Sequence, residues 1–366
     1  MKKVLYISDV NANETIFHSQ VIPHFKELKL YYDLKLLCLS RGEFFNYDFA
    51  YRSIPGDYVI ELSYINFILN KSNLFKFLNS NDFSVIYARG FRGGLLGCFI
   101  KYFFYKNNIN LITDVRGDVL DEYLVKDSSV KSYFYKKTIK KSLYESNNVF
   151  FVSSYLREKY VKLFDIEVNT AVYPTFVPDL KFNFISKIRE DYRKKLGYNN
   201  EDVVLLYSGN LAKWQNVEFI ISTFENVIHP HVKLLILTKD RSIFDLVKNN
   251  SMRDNIQIHS SDYSEIQNFY FASDYGLLIR DQNETNRCSS PTKFSEYINS
   301  GLKLISKEIQ ADFIDVFNKH NLKGFLYKHD SELLEFLNSE KVFNKDRNSL
   351  KFNLLSEIVD SQKSFI

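Results

Sequence analysis

The chain writes one pattern twice. Runs rich in β-branched and aromatic residues occur at VLYIS (4–8), KLLCLS (35–40), SVIYA (84–88), NLITDV (110–115) and NNVFFVS (147–153). Between them lie amphipathic stretches of helical period near 14–29, 64–79, 93–106, 129–145 and 154–164. The series restarts at DVVLLYSG (202–209), VKLLILT (232–238), NIQIHS (255–260), YGLLIR (275–280) and LKLIS (302–306). Helical stretches near 215–227, 241–250, 263–272 and 291–299 separate these runs. Strands spaced by helices of this length form βαβ units and a parallel sheet. Two series therefore predict an α/β chain with two Rossmann-like domains, over 1–175 and 201–349. The stretch 176–200, with Pro178 and a charged helix-like piece, reads as the linker. Ligands of doubly wound sheets bind beyond the carboxyl ends of the strands, so the cleft between two facing domains is the place to look for chemistry.

Bulk properties exclude several classes. A length of 366 residues suits two domains. No segment approaches the ~18 consecutive apolar residues of a membrane span. The opening MKKVLYISDV reads as a first strand rather than a signal peptide, because its apolar run is short and meets Asp9 at once. Cys38, Cys98 and Cys288 are odd in number and widely spaced, which fits a reducing cytoplasm and lacks zinc-site spacing. The net charge of +4 lies entirely within residues 1–180, where 23 Lys and Arg face 19 Asp and Glu. That excess is too small to point to nucleic acid. The first strand runs into SDVNANET, not a glycine-rich dinucleotide turn, and no Walker-type loop occurs.

The sharpest local signal is CSSPTKFSEYINSG, 288–301. Ser289, Ser290 and Pro291 announce a helix start at the carboxyl end of YGLLIR. Lys293 then sits in the first turn, where the helix dipole already presents positive charge. A bound diphosphate would resolve the conflict, held by the first-turn amides near Thr292 and Lys293, the Thr292 hydroxyl and the Lys293 ammonium. Glu296 follows three residues later on nearly the same face and would accept the hydroxyls of a ribose. Gly301 ends the helix. The plain alternative is a surface ion pair between Lys293 and Glu296.

These residues resemble a known family. SSPTKFSEYINSGLKLIS is similar to the Ser-Pro-Thr-Lys-Phe-x-Glu-Tyr signature of family-four GT-B glycosyltransferases, of the kind that builds bacterial capsule and O-antigen polysaccharides. The resemblance implies two Rossmann-like domains facing across a cleft, with a last helix, 350–366, crossing back to the first domain. By that resemblance Glu296 is the ribose contact, while the family's first motif Glu falls at Cys288, placed here on the acceptor or donor-sugar side. VVLLYSGNLAKWQNVEFII, 203–221, resembles the opening of the same domain. Gly209 would let a ligand approach the backbone. Where the family carries a phosphate arginine this chain has Asn210, leaving Lys213, Lys293, Arg280 and Arg287 as replacements. The donor nucleotide set is thus Gly209, Asn210, Lys213, Arg280, Ser290, Thr292, Lys293 and Glu296.

In the first half, IYARGFRGG and LITDVRGDVLDEYL resemble the Arg-Gly segments of the same enzymes. Asp114, Arg116 and Glu122 become the catalytic candidates, and Arg89 and Arg92, with Arg287, the acceptor or donor-sugar candidates. Asp114 and Arg116 would otherwise only pair to fix a loop. His18 and His24 read as structural or surface residues on a helix. KSYFYKKTIKKS, 131–142, mixes lysines with aromatic residues, which suits an anionic bilayer surface or simply a solvated helix face. The resemblance implies transfer of a sugar from a nucleoside-diphosphate donor to a glycan or lipid-linked glycan, with retention and without a metal or other cofactor. The expected place is the cytoplasm, with the basic segment 131–141 as the candidate for peripheral attachment to the inner face of the cell membrane. A nucleotide-sugar epimerase and a non-catalytic partner in polysaccharide assembly are the alternatives.

Overall fold

The apolar runs around Leu5 and Ile86 lie side by side with every residue from Val4 to Ile7 and Val85 to Ala88 buried, as strands covered on both faces require. The computed structural model describes all residues except 11–13, 15, 41–49, 55–56, 64–70, 106–107, 119, 121–128, 176, 178–184, 248–252, 263–264, 345 and 349–353. The chain divides into two compact units. The first comprises Met1–Val177, Cys288–Ser290 and Leu354–Ile366, and the second Pro178–Arg287 and Pro291–Asn353.

The first unit holds β1 (Lys3–Ser8), β2 (Asp33–Ser40), β3 (Ala50–Ile54), β4 (Asp57–Ser63), β5 (Val85–Arg89), β6 (Asn110–Val115), β7 (Asn148–Phe151) and β8 (Asn169–Val172). Their order is β3-β4-β2-β1-β5-β6-β7-β8, and β3 alone runs antiparallel to its neighbour. The second unit holds β9 (Val203–Ser208), β10 (Val232–Leu237), β11 (Ile256–His259), β12 (Tyr275–Leu278), β13 (Lys303–Lys307) and β14 (Gly324–Tyr327). These form a parallel sheet in the order β11-β10-β9-β12-β13-β14. In each sheet the chain reverses its direction of travel once, between β1 and β5 and between β9 and β12. Those two reversals are the topological switch points, where ligands of such sheets bind.

Four strands lie outside the runs expected from the sequence: β3, β4, β8 and β14. β8 and β14 are four-residue edge strands, only partly buried and without the Ile-x-Ile alternation of the equally short edge strand β11. AYRSIPGDYVIELS joins two alternating runs through Pro-Gly, a hairpin signal that a search for helix-spaced strands passes over. The stretch read as a linker contains a helix, Ile185–Lys195, packed on the helix Ile266–Ala272 of the second unit. Two more helices, Asp312–Lys319 and Asp330–Leu337, complete the second series, and a short one, Glu284–Cys288, occupies the loop after β12.

The last helix, Leu354–Gln362, packs on Ile22–Lys29 within the first unit. Its attachment is polar as well as apolar. Gln362 Oε1 lies 2.8 Å from His24 Nε2, and Asn110 Nδ2 donates to the Phe365 carbonyl at 2.9 Å. His24 is buried, with Nδ1 3.1 Å from the Tyr6 hydroxyl. Burial lowers its pKa from 6.5 to about 4.

Candidate functional site at the switch point of the second sheet

The helix after β12 spans Thr292–Asn299, preceded by Pro291 with no side chain capping its first turn. Ser290, expected to cap it, belongs to the first unit, where its Oγ accepts the Thr175 N–H at 2.8 Å. Pro291 supplies the fixed φ of a helix entry, so the start is set by backbone restriction without the serine. The far end closes with the Gly301 N–H on the Ile298 carbonyl and the Leu302 N–H on the Tyr297 carbonyl, at 2.9 and 3.0 Å. Gly301 has φ +78°, the left-handed conformation this closure needs.

Because this helix joins β12 to β13, its first turn stands at the carboxyl edge of the sheet beside the switch point. There Lys293 Nζ lies 2.7 Å from Glu296 Oε2. Both meet the Tyr270 hydroxyl, each at 2.9 Å. That hydroxyl also lies 3.1 Å from Ser208 Oγ at the end of β9. Ser208 in turn donates its N–H to the Tyr297 hydroxyl at 3.0 Å. Glu296 is 8% exposed, and Oε1 meets no hydrogen-bond donor among the described residues. The positive charge that looked out of place in the first turn is balanced by this carboxylate.

Arg280, two residues past β12, is buried beside Tyr207 and Tyr297, and desolvation lowers its pKa to about 10. It stays cationic at neutral pH. The same burial raises the Tyr207 and Tyr297 hydroxyls well above their ordinary value. The cluster thus presents one ammonium, one guanidinium, one carboxylate and three phenols. Two glycines permit it. A Cβ on Gly276 of β12 would stand 2.3 Å from the Tyr297 ring, and one on Gly209 would stand 2.8 Å from the Tyr207 hydroxyl. Gly209 was expected to make room for a ligand; here it makes room for a tyrosine. A separate cavity of about 390 Å³ opens on the same edge at the ends of β10 and β11, beside Thr238, Lys239 and His259.

Other expected donor residues sit elsewhere. Lys213 is exposed on a 3₁₀ turn, Lys213–Gln215, and Asn210 is exposed, its carbonyl accepting the Tyr207 hydroxyl. Arg287 ends the short helix after β12 and is partly buried. Cys288 is 1% exposed in an apolar cluster of the first unit with Phe91, Val115 and Phe151, which leaves it no surface for a sugar. Its Sγ lies 3.7 Å from Asp118 Oδ2. Tyr270, Tyr297 and Ser208 were missed. No local sequence signal marks Tyr270, which stands in the apolar run NFYFA and reads as core.

In the first unit, Asp114 at the end of β6 is fully buried. Its Oδ2 accepts the Tyr87 hydroxyl at 2.9 Å, its Oδ1 accepts Arg116 Nη1 at 3.3 Å, and Arg89 Nη1 stands 3.9 Å away. Arg116 also donates to the Tyr173 carbonyl and to Thr175 Oγ1. Arg89 is 3% exposed and donates to Gln20 Oε1. Asp114 and Arg89 are therefore enclosed by protein partners, and Asp114 has no exposed oxygen with which to meet an acceptor. Arg92 is partly buried with its guanidinium 5.5 Å from the Phe91 ring. Glu122 lies outside the described residues. The basic segment forms a helix, Ser129–Tyr144, on which Tyr133, Lys136, Lys137, Lys140 and Lys141 are exposed. Among the described residues no group of three His, Cys, Asp or Glu could hold a metal ion, and no helix is long and apolar enough to cross a membrane.

No family model matches the chain, and no curated protein matches its sequence. Solved structures match over its whole length. Sucrose-phosphate synthase from Thermosynechococcus elongatus is 13% identical with a TM-score of 0.64, covering 100% of this chain and 96% of that one. Anabaena HepE in complex with UDP-glucose is 10% identical with a TM-score of 0.65, covering 100% of both chains. A glycosyltransferase from Rickettsia africae is 14% identical with a TM-score of 0.65, covering 100% and 93%. The chain has the two-domain α/β GT-B fold.

Proposed function

We propose that this chain is a glycosyltransferase that takes its sugar from a nucleoside-diphosphate donor. The observation that carries the reading is the cluster of Lys293, Glu296 and Tyr270 at the start of a helix on the switch-point edge of the second sheet. Neighbours of the same fold have been solved with UDP-glucose and with ADP, which supports a nucleotide-bearing donor. A diphosphate arriving at the helix start would draw the Lys293 ammonium from Glu296. The released carboxylate, with Oε1 already open, would then accept the ribose hydroxyls. Lys293, the buried Arg280 and the helix dipole would stabilise charge developing on the leaving diphosphate, which is electrostatic preorganisation.

The finer reading follows the sequence resemblance: retention of configuration, no metal, and a glycan or lipid-linked glycan acceptor in surface polysaccharide synthesis. The exposed lysines of Ser129–Tyr144 would hold the enzyme to an anionic inner membrane face. Incubation with a panel of UDP-, GDP- and ADP-sugars tests the reading. Slow release of free nucleoside diphosphate is expected, accelerated by the right acceptor. Epimerised donor, or no turnover with any donor and acceptor, overturns it.

A further inference from the structure

The loop that leaves β9 at the switch point carries the only tryptophan of the chain. Trp214 is 48% exposed on the turn Lys213–Gln215, and its indole meets no other ring and no hydrogen-bond partner among the described residues. A single exposed apolar side chain needs no explanation by itself. This one stands on a loop fastened at both ends. The Asn210 carbonyl accepts the Tyr207 hydroxyl at 2.5 Å, and Asn210 Oδ1 accepts the Ala212 N–H at 3.1 Å. Beyond the turn, Asn216 Nδ2 donates to Asp281 Oδ2 at 2.8 Å. Leu211 and Val217 pack into the core of the second unit. Asn216 itself has φ +52°, the left-handed conformation that turns the chain sharply into the helix Val217–Phe224.

Both fastenings adjoin Arg280. Tyr207 feels the charges of Arg280 and Lys293, and Asp281 is the residue after Arg280. The turn bearing Trp214 is thus tied to the cluster that would hold the diphosphate. The rest of the loop decides what the indole suits. Asn210, Gln215 and Asn216 supply three side-chain amides, and Lys213 is the one charged group. Amides both donate and accept, as hydroxyls do. An aromatic face carries partial negative charge and attracts the positive edge of C–H bonds. An apolar plate on a loop of amides therefore matches a pyranose ring, whose C–H face is apolar and whose rim is hydroxyl.

We propose that Trp214 is a platform on which a pyranose ring stacks through its C–H face, and that this contact helps select the sugar the enzyme handles. The ring belongs to the donor or to the acceptor; the chemistry is shared and the two sources are separable. The assignment rests on the proposed sugar transfer and adds to it a residue outside the Lys293 cluster.

With one tryptophan in the chain, tryptophan emission reads this ring alone. The full chain is titrated with UDP and GDP, with UDP-glucose, UDP-N-acetylglucosamine and GDP-mannose, and with the methyl glycosides of the same three sugars, by emission and by calorimetry. The bare diphosphates should bind without moving the emission. At least one sugar-bearing probe should shift it to the blue by covering the indole. A shift by a conjugate but not by its glycoside identifies the donor ring, and a shift by a glycoside identifies the acceptor ring. For that probe Trp214→Ala should bind about three- to tenfold more weakly, as for one lost aromatic contact. Trp214→Phe should recover part of the loss, and both variants should melt with the parent because the side chain is exposed. Emission moved equally by the bare diphosphates, emission moved by no probe, or equal affinity in Trp214→Ala would each overturn the proposal. Diphosphate binding with unmoved emission removes the platform and leaves the donor site. A glycoside shift without any diphosphate binding removes the donor site and leaves the platform.

Discussion

Lys293 and Glu296 stand one turn apart on a single helix and share a 2.7 Å ion pair that also engages the Tyr270 hydroxyl. An i,i+3 pair on an open helix face is worth only a few tenths of a kcal/mol. Here the carboxylate is buried and a phenol from another helix joins it, so the pair is held in place before any ligand arrives.

Replacing Glu296 by Ala should weaken nucleoside diphosphate binding by about 1–3 kcal/mol, the usual result of leaving a ligand hydroxyl without its acceptor. Calorimetry with the diphosphate that shifts the melting temperature most would read this directly. Binding as tight as the parent's would remove the carboxylate from the site.

Asp114→Ala should destabilise the protein by about 3–5 kcal/mol, because it leaves the buried Arg89 and the partly buried Arg116 without their carboxylate. Urea unfolding gives the number. A loss below about 1 kcal/mol would show that Asp114 anchors neither arginine.

His24 makes stability depend on pH with a definite sign. Its folded pKa of about 4 lies below the unfolded 6.5, so the unfolded chain binds its proton first. The stabilisation is complete above pH 6.5 and is lost as pH falls from there toward 4. Over that window the loss attributable to this one ring is about 3 kcal/mol. Unfolding at pH 7.5 and pH 5 in the parent and in His24→Gln should show a smaller drop in the variant. Equal drops would mean the ring is hydrated in the folded state.

Gly276→Ala should cost about 1–3 kcal/mol through overpacking, since the new methyl would stand 2.3 Å from the Tyr297 ring. The ring must then shift, and its hydroxyl would leave the Ser208 N–H. Weaker nucleotide binding should accompany the lower melting temperature. An unchanged melting temperature would mean the ring has space to move.

Much of the fold was legible because parallel strands buried on both faces read as unbroken apolar runs; ten runs named ten of the strands, and most are of this kind, whereas NIQIHS alternates. The edge strands β8 and β14 were not legible: NTAV and GFLY are only partly buried and lack the Ile-x-Ile alternation that marks the equally short edge strand β11. Cys288 shows a different limit. Its neighbours in the chain announced a helix start, yet Cys288 belongs to the first unit and its side chain fills an apolar cluster there. Ser290 likewise binds Thr175, 115 positions away in sequence.

What the sequence determined by itself was local: alternating strand and helix, the entry at Pro291, the exit at Gly301, and the one-turn spacing of Lys293 and Glu296. Backbone restriction and helical period act over a few residues and can be read within them. The tertiary structure decided which charges are spent on protein partners. Tyr270 reaches Glu296, Asp114 gathers Tyr87 and Arg116, and Arg193 reaches Asp274, because sheet order sets elements far apart in the chain side by side. A side chain's partners in a buried network are fixed by that order, and no window of sequence contains it.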